Sequence, residues 1–406
     1  MAFTSLPSHR IRHAGMPMRA GDASARDADR ALIALAGPDY LDTTHFDTVR
    51  FPPPRWAAGR FAAASRDGSL AYTPYRGSEN VRANLAVSLS AWLGNDVDHD
   101  RELLLTPGTQ AGLFVTLSAL VNPGDRVVLI DPDYLFSERI LAYLGARVHH
   151  VPLHLDAAAV TPDLDLLEQA LATPAALLLF SHPNNPTGAV YPPAVLQRIA
   201  DLADASGTPV VVDELYARLV YDAAPYVHFR SLPRMREQTV TLLGPSKTES
   251  LSGYRLGVVV GPPQLVDAAE DVLSLAALRA PGYAQHVLTG WLTDDREWIH
   301  ERVRELYALR ALTAARLAEL PWIGVRPQQG TAYLFPDVSA LGLPDRVVAE
   351  RLITAAGVLV SPGYQFGPRG TGHFRVCYAR DEVIWDAALT RIVETLDKLA
   401  TETGQT

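Results

Sequence analysis

A single cysteine, Cys377, stands in this chain of 406 residues. No intramolecular disulfide can form, so the fold requires no oxidising compartment. No uninterrupted apolar run reaches the length of a membrane-spanning helix. The first residues, Met1-Ala2-Phe3-Thr4-Ser5-Leu6-Pro7, lack the continuous apolar stretch of a secretory leader. Basic charge is also short: 36 Lys and Arg face 45 Asp and Glu, a net charge of −9. That balance argues against nucleic acid or an anionic membrane as a partner, since both want a basic surface. Neither an internal repeat nor a low-complexity tract is present. What remains is 48% hydrophobic and 20% charged, an ordinary globular composition. A chain of this length buries roughly three quarters of its unfolded surface and needs no staples. The expectation is a soluble, cytoplasmic protein of more than one domain.

Residues 1 to 30 mix Ser, Pro, Gly, Arg and Asp without a period and read as an N-terminal arm. Phe51-Pro52-Pro53-Pro54 is a stiff stretch that no helix or central strand crosses. Beyond residue 81 short apolar runs alternate with helix-length stretches. Strands are predicted at 103–105, 126–130, 176–180, 209–213, 239–243 and 257–260. Their nearly continuous apolar character is that of strands covered on both faces. Helices are predicted near 110–121, 134–144, 193–206 and 263–277. This alternation implies an α/β fold, a mostly parallel sheet sandwiched by helices with right-handed crossovers. Residues 288–320 read as one long helix with a solvated face. Strands near 332–335 and 373–378, flanked by helices, suggest a smaller α+β unit. The expected division is a large domain over 55–295 and a small one from 31–54 plus 296–406.

In an open parallel sheet, ligands bind outside the carboxyl ends of the strands. After 103–105 comes Thr106-Pro107-Gly108-Thr109-Gln110, small residues opening a helix whose free N–H groups suit a phosphate. After 176–180 comes Ser181-His182-Pro183-Asn184-Asn185-Pro186-Thr187-Gly188, a frozen turn that presents Asn185. Strand 209–213 ends in Asp213-Glu214-Leu215-Tyr216, and an Asp closing a buried apolar strand needs something cationic to meet it. Strand 239–243 runs into Gly244-Pro245-Ser246-Lys247, with Arg255 eight residues on. A phosphate cradle, an amide, a carboxylate and a lysine thus follow one another. A phosphorylated aromatic aldehyde needs that set.

On these residues the chain resembles the fold-type-I pyridoxal-phosphate enzymes, and among them the class I/II aminotransferases. The resemblance spans about residues 70–380. It rests on Tyr72-Thr73-Pro74-Tyr75-Arg76-Gly77, Gly108-Thr109-Gln110, Asn185-Pro186-Thr187-Gly188, Asp213-Glu214-Leu215-Tyr216, Ser246-Lys247 with Arg255, and His373-Phe374-Arg375. It implies pyridoxal 5'-phosphate as cofactor, with Lys247 as the residue that binds it and later carries the substrate's proton. It implies that Asp213 pairs with the ring nitrogen and that Asn185 and Tyr216 hydrogen-bond the phenolic oxygen. Arg255, Ser246 and the amides of Gly108, Thr109 and Gln110 are implied to hold the phosphate. Tyr134 is implied to stack on the cofactor, Tyr72 to reach a neighbouring subunit's phosphate in a homodimer with shared active sites, and Arg375 to fork the substrate's α-carboxylate. Arg279 stands where dicarboxylate-using members carry a side-chain reader, with an extra residue between it and Pro281.

Departures accompany the likeness. Where the family usually has a phosphate-binding Ser or Thr, three residues before the lysine, Gly244 stands here. The usual Gly-x-Pro-Asp-type N-terminal signature is replaced by Thr43-Thr44-His45-Phe46-Asp47-Thr48-Val49-Arg50. His45, Asp47 and Arg50 are therefore specificity candidates. The resulting expectation is an aminotransferase moving the amino group of an L-α-amino acid to a 2-oxo acid in two half-reactions. The same cofactor also serves β-eliminating or replacing lyases and decarboxylases, and the pocket decides which bond breaks. A non-catalytic ligand sensor is the remote alternative.

Overall fold

The structure, a computed structural model, describes Arg10, residues 30–46 and residues 50–405. The predicted arm, Arg10 and Arg30 apart, and Asp47 lie outside the described residues. The strands in chain order are β1 (Leu41–Asp42), β2 (Leu103–Thr106), β3 (Arg126–Asp131), β4 (Arg147–Pro152), β5 (Leu177–Ser181), β6 (Val210–Asp213), β7 (Thr239–Leu243), β8 (Gly257–Val260), β9 (Tyr333–Leu334), β10 (Val358–Leu359), β11 (Ser361–Pro362) and β12 (Phe374–Cys377). Seven of them form one sheet in the order β2-β8-β7-β6-β5-β3-β4. All neighbours pair in parallel except β8, which runs antiparallel to both β7 and β2. That reversal positions the site. Residues entering β8 lie at the same edge as residues leaving β7, which brings Arg255 beside Lys247.

The apolar runs behave as expected of doubly covered strands: β2, β5, β7 and β8 are buried at every position. Strand β4 lies outside the predicted set. It sits at the sheet's edge and alternates exposed Arg147 and His149 with half-buried Val148 and His150, so it carries no apolar run. The helices Thr109–Leu120, Leu135–Leu144, Pro193–Ser206 and Pro263–Ala276 lie where the alternation predicts them. The predicted single helix over 288–320 is corrected to a short 3-10 turn, His286–Gly290, followed by a helix Arg296–Leu317. Leu292 adopts a left-handed φ of 71° between them, and fully buried Asp295 pairs with Arg218 Nη1 at 2.5 Å. A helix continuing through this point would pull Asp295 off its partner.

Short strands make up the rest: β11-β12-β9 antiparallel, and β1 parallel to β10. One cluster of buried apolar side chains joins Leu32, Phe46 and Phe51 to Leu306, Phe374, Trp385 and Leu396. Tyr216 and Tyr221 enter that cluster from the loop after β6. Separate clusters lie on the two faces of the large sheet. No described helix is long and apolar enough to cross a membrane.

Candidate active site

The carboxyl edge of the sheet opens into a pocket of about 330 Å³, within the ordinary range of small-molecule sites. Thr109, Gln110, Tyr134, Asn185, Asp213, Tyr216, Ser246, Lys247, Arg255, Arg375 and His45 all line it. They come from the strands and from the segments that flank their ends. Gly108 has a φ of 91°, a conformation that favours glycine, and a Cβ there would strike the Arg255 guanidinium. The two therefore form one cradle at the start of the helix Thr109–Leu120. Arg255 donates to the carbonyls of Ser252 (3.0 Å) and Pro107 (3.4 Å), backbone contacts that an arriving anion can replace. Ser246 Oγ donates to the Leu256 carbonyl at 3.3 Å.

Gly244 now has a physical reason. A Cβ there would lie 2.6 Å from Thr109 Oγ1 and 3.1 Å from the Leu256 carbonyl. The Thr109 hydroxyl, donating to the Leu243 carbonyl at 3.1 Å, fills the space that a serine or threonine would need.

Lys247 Nζ donates to the Phe46 carbonyl at 2.7 Å. Burial pushes the Asp213 carboxyl up to about 7, against the N–H that Leu215 supplies at 3.0 Å; Asp133 and Glu214 push it the same way. None of these influences is a cation, so a cationic N–H entering the pocket would meet a carboxyl short of its natural partner. Tyr216 Oη shares a hydrogen bond of 2.9 Å with Tyr333 Oη, and burial holds its hydroxyl well above the ordinary range. Tyr134 Oη donates to Gln110 Oε1 at 2.9 Å.

Asn185 is fixed from behind. Buried Asp133 accepts from Ser181 N and Oγ at 2.8 and 2.7 Å, and Ser181 Oγ accepts from Asn185 N at 3.1 Å. Burial raises Asp133 to about 6, although the Ser181 and Ser137 bonds oppose the shift. Arg375 Nη1 donates to Asn185 Oδ1 at 2.7 Å, and Nη2 donates to the Thr44 carbonyl. Its guanidinium lies 4.1 Å from the Tyr333 ring centre and 4.7 Å from that of Phe366. Stacked on both rings, the fork is held in one orientation.

Gly108 adjoins this pocket through Arg255 without lining it, and Tyr72, Arg279 and Arg50 stay outside it. Tyr72 is 73% exposed, and Arg279 lies 3.9 Å over its ring and 5.0 Å from the ring of Tyr75 while donating to the Thr73 carbonyl. The offset before Pro281 therefore leaves Arg279 on Tyr72 rather than on a carboxylate of its own chain. Arg50 also lies elsewhere, paired with Glu305 at 3.0 Å. Thr44, Ser181, Tyr333, Ser361 and Gln365 line the pocket without being among the predicted site residues. The turn Pro362-Gly363, a short reach before Arg375, is the available signal for the last two.

A mostly parallel sheet with one reversed strand, whose carboxyl edge gathers an arginine, a lysine and a buried carboxyl in one pocket, is the arrangement of a fold-type-I enzyme. The chain matches the Aminotransferase class I and II family over residues 33–392, and it belongs to that family. It is 31% identical over 373 residues to the aspartate/prephenate aminotransferase of Thermus thermophilus, covering 90% of this chain and 91% of that one. It is 31% identical over 313 residues to the arginine–pyruvate transaminase of Pseudomonas aeruginosa, covering 76% and 78%. The crystal structure of an aspartate aminotransferase from Rhodobacter sphaeroides superposes with a TM-score of 0.86 at 35% identity, covering 89% of this chain and 93% of that one. Amino-group transfer is the chemistry of this chain, and the family performs it with pyridoxal phosphate.

Proposed function

We propose that this chain binds pyridoxal 5'-phosphate at the carboxyl edge of its sheet and transfers the amino group of an L-α-amino acid to a 2-oxo acid. The observation that carries the reading is one pocket lined by Lys247, by Asp213, raised by burial and bonded to the Leu215 N–H, and by Arg255, which packs against Gly108. The residues present fit the cofactor group by group. The phosphate belongs to Arg255, Ser246 and the amides of Gly108, Thr109 and Gln110; the ring nitrogen to Asp213; the phenolic oxygen to Asn185 and Tyr216; the ring face to Tyr134. Bound there, the cofactor supplies an electron sink for the substrate's Cα.

The chain's own groups do the rest. Arg375 takes the α-carboxylate in its fork, exchanging its bonds to Asn185 and Thr44 for charge-assisted ones. This releases the Asn185 side chain, whose Nδ2 N–H can then donate to the phenolic oxygen. Lys247 Nζ, leaving the Phe46 carbonyl as a neutral amine, would take the proton from Cα to become an ammonium and deliver it to the cofactor's C4′ carbon. Asp213, once faced by a cation, stays ionised and keeps a proton on that cation.

The active unit in this reading is a homodimer in the cytoplasm, with Tyr72 and Arg279 presented to the partner's pocket. Residues 55–295 form the cofactor unit and 31–54 with 296–406 the smaller one; the cluster joining Phe46 to Trp385 supports that division. His45 lies at the pocket wall beside Thr44, with Nδ1 3.1 Å from Thr44 Oγ1, and is a substrate contact. Aspartate or glutamate is the proposed donor in one half-reaction, a reading supported by the names of several relatives. The test is a spectrum in two stages. The loaded protein should change its cofactor absorbance with an amino acid alone and regain it when a 2-oxo acid is added. Pyruvate and ammonia released without an acceptor would instead assign a lyase.

A further inference from the structure

Gln365 lines the pocket and is 4% exposed, yet its Nε2 is buried without a hydrogen-bond partner. A buried amide left so costs about 1–3 kcal/mol, so it calls for a ligand. The backbone around it is not free to move. Gly363 N donates to the His373 carbonyl at 2.8 Å, Tyr364 N to Asp345 Oδ2 at 2.9 Å, and the Phe366 carbonyl accepts from Asp133 N at 3.0 Å. A Cβ on Gly363 would strike the Gly370 carbonyl, so the turn is also packed tight. The backbone at each neighbour of Gln365 is tied down, and the Gln365 amide alone is not. Two residues before this turn, Ser361 lies directly across from Arg375 in the β11–β12 pairing and also faces the pocket. Residues paired across antiparallel strands project to the same face. The wall therefore offers a guanidinium, then a hydroxyl, then an amide.

We propose that Gln365 determines specificity by donating its amide N–H to a hydrogen-bond acceptor on the substrate's side chain, a carboxylate or carboxamide oxygen, while Arg375 holds the α-carboxylate. The proposal rests on the reading of the pocket given above. The Arg375 fork already has two N–H groups for the α-carboxylate, so the amide is left for a second acceptor. A site built to hydrogen-bond a substrate group rejects analogues that lack it, because its own polar group then stays unpaired.

The test uses amino acids that cannot lose an α-proton. Dissociation constants of 2-methyl-L-aspartate, 2-methyl-L-glutamate and L-isovaline are measured by calorimetry on the cofactor-loaded protein. Gln365→Leu keeps the bulk and removes the amide. It should weaken the better-bound acid about tenfold or more, the scale of one hydrogen bond to a charged group, and leave isovaline within about twofold. Gln365→Glu keeps the shape and reverses the polarity; it should weaken the acid further and melt within a few degrees of the parent. Equal weakening of acid and isovaline, no weakening of either, or no binding of either acid by the parent overturns the proposal. If unsubstituted amino acids never undergo transfer, the aminotransferase reading fails, and the calorimetry still decides Gln365.

Discussion

At the scale of single residues, Lys247 and Asp213 carry the account. Lys247→Ala should abolish transfer, losing at least about a hundredfold, the low end for a positioned general base. The fold should survive, because among the described residues Lys247 Nζ bonds only the Phe46 carbonyl. Activity near the parent's, or a pyridoxyl group mapped to another lysine after borohydride reduction, would contradict the assignment. Asp213 gives the pH dependence. An unfolded aspartate titrates near 4, whereas Asp213 in the folded chain is raised to about 7. Between those values the folded form holds a proton that the unfolded form has released. The group therefore removes stability as pH rises from about 4 to about 7 and nothing further above that. Cofactor-free Asp213→Asn should melt above the parent at pH 8 and level with it near pH 4. The gain is at most a few kcal/mol, since a tenfold change in proton affinity is worth about 1.4 kcal/mol and the group partly faces the pocket. Equal melting at both pH values would rule out a raised Asp213.

At the scale of elements, the reversed strand β8 is the feature that assembles the site. Gly257 opens it, and a Cβ there would strike the Gly108 carbonyl carbon and lie 2.5 Å from Thr109 N. Gly257→Ala should therefore cost about 1–3 kcal/mol, the usual scale for forced overpacking. It should also loosen the anion cradle, so that pyridoxal phosphate is lost faster on dialysis; unchanged melting and retention would contradict this packing. The doubly covered strands are legible in the sequence because burial on both faces leaves uninterrupted apolar runs, as in Val210-Val211-Val212. Strand β4 is not, because an edge strand keeps one row of polar side chains, here Arg147 and His149. The break before Arg296 is written in Asp294-Asp295, a helix-start signal outweighed by the long charged and apolar run beyond it. Two-residue strands such as β1 and β10 have no periodicity to read; only tertiary pairing defines them. Site residues at strand ends are legible from residue type and position. Tyr333, Ser361 and Gln365 reach the pocket through the chain's distant C-terminal part, and local pattern does not report that contact.

At the scale of the whole molecule, exposed Tyr72 with Arg279 stacked on it is the surface that the proposed dimer would cover. Sedimentation should give a dimer at micromolar concentration, and a fully active monomer would contradict it. Tyr72→Phe should weaken cofactor retention by about 1.5–3 kcal/mol, the scale of one hydrogen bond to a charged group. Because Arg279 packs on Tyr72, Arg279→Ala should loosen cofactor retention as well as raise the Michaelis constant for dicarboxylic donors. An effect on neutral donors as large as on dicarboxylic ones would make Arg279 purely structural. The claim that the pocket moves an amino group intact is tested most directly by isotope tracing. Loaded protein is given ¹⁵N-labelled L-aspartate or L-glutamate with an unlabelled 2-oxo acid, and products are read by mass spectrometry. The label should appear in the new amino acid with no labelled ammonia, and Lys247→Ala should give neither. Labelled ammonia in place of labelled amino acid would contradict the account.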